Sequence, residues 1–181
     1  MKKFKLTSEF IVDISGVKLF RIKALIEFGN VKAGDLGGYI EKEENLSHMG
    51  DAWVSDDARI SGNAQVFGNA QVFGDARVFG NAQVFGDAQV SGNARVSGDA
   101  QVFGDARVSG DKDYAYAHGF GSCNRTTTFF RLKDGDVGVR CGCFYGTLAQ
   151  FRDKVCETHG ETKKAQEYLM LADLMEIRFK N

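Results

Sequence analysis

From Gly50 to Ser109 apolar residues recur with a six-residue period. The unit is Gly-Asn/Asp-Ala-Gln/Arg-Val-Phe/Ser, written ten times, the first two copies degenerate ("GDAWVS", "DDARIS"). Ala and Val stand two apart, so in extended chain both point to one side, while Gln/Arg and Phe/Ser point to the other. Gly followed by Asn or Asp is turn chemistry, because these residues tolerate positive φ. Each hexad therefore predicts a very short strand and a corner. Such a strand cannot bury its apolar face alone. Coiling buries Ala and Val inside a prism whose successive coils are joined by backbone hydrogen bonds. Three hexads per coil make a triangular parallel β-helix, and the aliphatic-then-small spacing (Val66 to Ala70, Val72 to Ala76) favours the left-handed form. Ten hexads make about three coils.

At three hexads per coil, residues 18 apart stack at ~4.8 Å. Phe67, Phe85 and Phe103 then form one outward column, with Gln65, Gln83 and Gln101 beside it. Arg59, Arg77 and Arg95 form a second, and Trp53, Gln71, Gln89 and Arg107 a third. A stripe of three outward rings implies a partner, a second copy or a covering segment of the same chain. The arginine column sets like charges side by side, which is unfavourable unless compensated. Asp57, Asp75 and Asp111 in the neighbouring corner column are expected to compensate, with a bound phosphate or acidic partner as the alternative.

The flanks follow other patterns. Residues 1–49 read as a β-hairpin turning at Ser15-Gly16 and then a cap, with Gly34, Gly37 and Gly38 marking tight backbone over the open end of the prism. Residues 112–125 read as a connector. Residues 126–181 read as a ββαα module: a hairpin around Asp134-Gly135, a helix capped by Thr147 with Leu148, Phe151 and Val155 inward, and Gly160 ending it. A second helix turns Ala165, Tyr168, Leu169, Ala172 and Met175 inward. About 55 residues are marginal alone, so this module should dock on the solenoid or on another copy. The expected fold is mainly β: a β-helix with an N-terminal β cap and a small C-terminal α+β module.

Charge is balanced, 23 Lys+Arg against 24 Asp+Glu, which argues against general nucleic-acid binding. No apolar run is long enough to span a membrane, and Lys5, Glu9 and Asp13 break any signal-peptide core. Cys123, Cys141, Cys143 and Cys156 are therefore expected to be reduced thiols in a cytoplasm. Cys141 and Cys143 alternate on a strand, so both thiols face the same way. Cys156 and His159, three apart, share a helical face. Together they offer four ligands of a type that suits zinc, although the paired Cys-x₂-Cys knuckle is missing. Buried packing of the thiols is the competing reading, and with it no cofactor. The coils contain no histidine; His48, His118 and His159 all lie outside them.

The lead-in "VKAGDLGGYIEKEENLSHMGDAWVSDDARISGNAQV" resembles that of bacterial hexapeptide-repeat proteins labelled polymer-forming or acyltransferase-like. The closing part, with "CGCF-GT" and "THG", resembles a C-terminal module of phage and prophage repeat proteins. The resemblance implies the β-helix fold and a phage or prophage setting. An acyltransferase of this kind needs a histidine base on the coils at a subunit seam, and none is present. The expected function is a non-enzymatic scaffold that self-associates and docks on a host protein, a defence system being one candidate target. A self-assembling structural protein and an acyltransferase-like enzyme are the alternatives.

Overall fold

In a computed structural model, which describes residues 2–121 and 124–180, the hexads coil as a triangular β-solenoid of about four turns with parallel sheets. The chain opens with an antiparallel hairpin, β1 (Phe4–Val12) and β2 (Lys18–Ala24), followed by β3 (Leu36–Ile40). Among the described residues, ten two-residue strands then follow, β4 (Trp53–Val54) to β13 (Arg107–Val108). They sort into three walls. Trp53, Gln71, Gln89 and Arg107 are in register on one. Tyr39, Arg59, Arg77 and Arg95 share the second. Gln65, Gln83 and Gln101 share the third.

The count of coils differs from the hexad count because the lead-in is itself a coil. Tyr39–Ile40 pairs with Arg59–Ile60, Leu46 bridges to Val66, and Trp53–Val54 pairs with Gln71–Val72. Its phrase is irregular, so its register to the next coil is 20 residues at Tyr39 and Leu46 rather than 18. The expected cap over the prism is thus partly its first turn. Gly37 and Gly38 permit this, since a Cβ on Gly37 would lie 2.5 Å from both the Ile22 side chain and the Val54 carbonyl.

Inside, Ala and Val, with Ile60 in place of Val in the second hexad, are 0–1 % exposed throughout the hexads. Backbone hydrogen bonds join the coils, for example Gln65 N–H to Ala82 O at 2.9 Å and Phe67 N–H to Val84 O at 3.1 Å. Corners need positive φ: Gly68 lies at +70°, and Asp56 takes the same conformation at +54° in the degenerate hexad. At some corners a side-chain amide stacks on an acceptor one coil away. Asn63 donates to Asn81, Asn81 to Asp99 and Asn69 to Asp87.

A stack of parallel coils leaves backbone N–H and C=O groups on the outer edge of its first and last coils without a neighbouring coil to pair with. At the first coil, carbonyls receive side-chain donors: Lys3 Nζ bonds Gly50 O and Ala52 O, and Asn45 Nδ2 bonds Gly62 O and Ala64 O. At the last coil, N–H groups receive acceptors: Asp111 for Arg95, the Tyr114 hydroxyl for Ser97, Thr128 for Gln101 and Asp113 for Ser109. Four of the five buried polar residues, Lys3, Asn45, Asp113 and Thr128, are these caps. Burial works to raise the Asp113 pKa, but hydrogen bonds from the Ser109 hydroxyl and the N–H groups of Ser109 and Gly110 leave it lowered.

Within the stretch read as a connector, Tyr114–Phe120 form a strand. β14 (Tyr114–Phe120) pairs antiparallel with β15 (Arg125–Arg131), which pairs with β16 (Val137–Cys141) and then β17 (Phe144–Thr147). The module is ββββαα rather than ββαα, closed by α1 (Leu148–His159) and α2 (Lys163–Phe179). Thr147 caps α1, its hydroxyl accepting from Gln150 N–H. Strand alternation lets β15 serve two cores: Phe129 packs with the helices, and Phe130 packs on the last coil of the solenoid.

Candidate functional site

The three-sided winding brings the phenylalanine column together. Ring centroids lie 4.7 Å apart for Phe67 and Phe85, and 4.5 Å apart for Phe85 and Phe103. All three rings are half-buried. At Phe103 the cover comes from the same chain: Tyr145 meets its ring edge-on at 4.8 Å and the Arg140 guanidinium lies 5.7 Å above it. Gln101, beside it, bonds Gln83 and accepts from Arg140. The Phe67 and Gln65 end borders an open concavity lined also by Glu43, Glu44 and His48.

The arginine column is equally real. Arg59, Arg77 and Arg95 occupy successive rungs, and among the described residues no ion pair joins them to Asp57, Asp75, Asp111 or any other carboxylate. The expected compensation is therefore missing; Asp111 instead caps the Arg95 backbone N–H. Adjacent like charges ~5 Å apart cost about 1 kcal/mol in water-like dielectric, less in salt. Gln occupies the equivalent strand position at Gln65, Gln83 and Gln101 without that cost.

The four proposed zinc ligands do not converge. Gly142 has φ +57°, and Gly142-Cys143 form the turn between β16 and β17, so Cys143 leaves the strand that carries Cys141. Cys143 and Cys156 are exposed, whereas Cys141 is half-buried, accepting from Thr127 and lying 3.8 Å from the Tyr168 hydroxyl. His159 stacks on Tyr168 and shares a shallow pocket with Cys141. Among the described residues no group of three or more His, Cys, Asp or Glu side chains could hold a metal ion. Cys123 lies outside the described residues.

The histidines have separate surroundings. His48 accepts the Lys3 N–H at Nδ1, bonds Glu43 through Nε2 at 2.6 Å and stacks on Phe4, so both ring nitrogens are taken. The Lys2 hydrogen bond, then that of His48, holds the Glu43 carboxyl below its usual pKa. His118 bonds Thr126 and lines an open hollow of about 500 Å³ with Cys143, Arg125 and Arg140, a grouping that no spacing in the sequence announces.

Two apolar surfaces escaped the sequence reading. On α2, Met170, Leu174 and Ile177 are 71 %, 55 % and 70 % exposed. Their i, i+4, i+7 spacing places them on one helical face, opposite the inward residues. On β1, an edge strand, Phe10 and Val12 are also exposed. No helix among the described residues is long and apolar enough to cross a membrane.

Residues 70–86, 88–102 and 100–111 match the family model described as YdcK Beta solenoid repeat. The chain is a repeat β-solenoid protein. The match lies within the coils and carries the fold, consistent with a scaffold or interaction protein. No curated protein matches the chain.

Proposed function

We propose that this repeat β-solenoid protein is a non-enzymatic scaffold that self-associates and binds another protein. The observation that carries the reading is the uncovered stripe of Met170, Leu174 and Ile177 on α2. Three neighbouring apolar side chains on one helical face are self-complementary about a two-fold axis, so a second copy is the first occupant. The flat stack of Phe67 and Phe85 is the face for a foreign protein. By the resemblance of its lead-in and closing segments, the setting is a phage or prophage in a host cytoplasm, and the partner a host protein such as a defence component. Two features weigh against the alternatives. Side-chain caps on both end coils work against end-to-end filament growth, leaving β1 as the open edge at the first end. A histidine base for acyl transfer is missing from the coils, and His48 has both nitrogens engaged.

Light scattering coupled to size exclusion tests the reading. The native chain should run as a discrete oligomer, and Leu174→Glu with Ile177→Glu should run as a folded monomer. Phe67→Ser with Phe85→Ser should keep the oligomer but lose a protein captured from host lysate; serine already stands at that hexad position in Ser91, Ser97 and Ser109. An unchanged mass in the α2 variant would sink the self-association, and unchanged capture by the phenylalanine variant the docking face.

A further inference from the structure

We propose that the arginine wall is a binding site for a small phosphate-bearing molecule, independent of the protein-binding faces above. The tip of the β1–β2 hairpin lies against this wall and, with Arg59, Arg77, Arg95 and Phe79, encloses a pocket of about 200 Å³. Three guanidiniums in register face it without an ion-pair partner among the described residues. Arg59 and Arg77 are half-buried, so part of their hydration is already removed. The Ser61 hydroxyl adds a further donor to the lining.

The chemistry selects a phosphomonoester. Planar guanidinium forks match phosphate and carboxylate alike, but three forks and a hydroxyl exceed the acceptors of one carboxylate. Asp13 also lines the pocket, and its Oδ1 accepts from the N–H groups of Ser15 and Val17 in the hairpin turn. Three positive charges against that one negative charge leave two, the charge of a phosphomonoester near neutral pH. The organic part has an apolar wall. Phe79 stands between Ser61 and Ser97 in its corner column, so neither adjacent rung supplies a ring to stack on, and it is 39 % exposed. Ile14 on the hairpin tip faces the same space. A volume below the usual range of small-molecule pockets suits a phosphate with one small ring.

Calorimetric titration at fixed ionic strength, with phenyl phosphate, inorganic phosphate and benzoate as probes, tests this. Phenyl phosphate should bind saturably with one site per chain, inorganic phosphate more weakly, and benzoate at least about tenfold more weakly than phenyl phosphate. Arg77→Gln, and the triple change of Arg59, Arg77 and Arg95 to Gln, should each weaken phenyl phosphate about tenfold or more, while Arg107→Gln on another wall should not. Phe79→Ser should abolish the preference for phenyl phosphate over inorganic phosphate. The coil tolerates each replacement, because Gln and Ser already occupy these positions in other hexads. Circular dichroism confirms folding before titration. Retained affinity in Arg77→Gln, equal loss in Arg107→Gln, benzoate binding as tight as phenyl phosphate, or no saturable binding at all would each overturn the site.

Discussion

Lys3 is 1 % exposed, with its ammonium capping the carbonyls of Gly50 and Ala52 and lying 4.6 Å over the Phe28 ring. Burial lowers its pKa from 10.5 to about 8, against a smaller opposing pull from Asp51. Below pH 8 both the folded and the unfolded chain carry the charge, and the fold bears the full cost of burying it. Between pH 8 and 10.5 the folded chain sheds the proton while the unfolded chain keeps it, so stability climbs, and above 10.5 it levels off. At 1.36 kcal/mol per pKa unit, the rise from pH 7 to 9.5 is about 2 kcal/mol. Lys3→Met keeps the length of the side chain but removes the charge and both donors. At pH 9.5 it should be less stable than the native protein by about 1–3 kcal/mol for the two uncapped carbonyls. At pH 7 that gap should be smaller by about 2 kcal/mol. Urea unfolding is readable at the site itself, because Trp53, the single tryptophan, is buried and meets Phe28 edge-on at 5.4 Å. A gap that stays constant, or widens at pH 7, would refute the reasoning. It would mean that the carbonyls and the ring hold the charge more strongly than burial repels it.

Two other outcomes follow from the same geometry. Gly68→Ala should lose about 1–2 kcal/mol in urea unfolding, because alanine must adopt φ +70° with its Cβ 3.1 Å from Gly86 N; a neutral effect would contradict the left-handed corner. Metal analysis of protein purified without chelator should return less than about a tenth of an equivalent of zinc, since Cys141, Cys143, Cys156 and His159 do not converge; a stoichiometric ion would show that they do.

The sequence alone determined the solenoid, because its instruction is local and repeated. Ala and Val two apart choose the inward face, Gly-Asn/Asp chooses the corner, and a period of six closing in threes stacks residue upon residue 18 apart. The phenylalanine and arginine columns followed from that arithmetic without any tertiary knowledge. So did the helices, whose inward residues and Thr147 cap obey short-range rules. Tertiary structure decided whatever depends on partners far along the chain. Lys3 reads as one more basic residue near the start until the unpaired carbonyls of the first hexad meet it, 47 and 49 residues away. The connector alternates apolar and polar residues only weakly and becomes β14 because β15 offers it a ladder. Cys143 leaves the metal set because of one left-handed glycine beside it. The arginines lack their expected carboxylates because the aspartates stay at the corners, with Asp111 spent on a backbone cap, while the hairpin tip closes over the wall. A repeat specifies its own neighbours through hydrogen bonds one coil away. Its ends, its covers and its pockets are specified only by segments that do not repeat, so they emerge when the whole chain is folded.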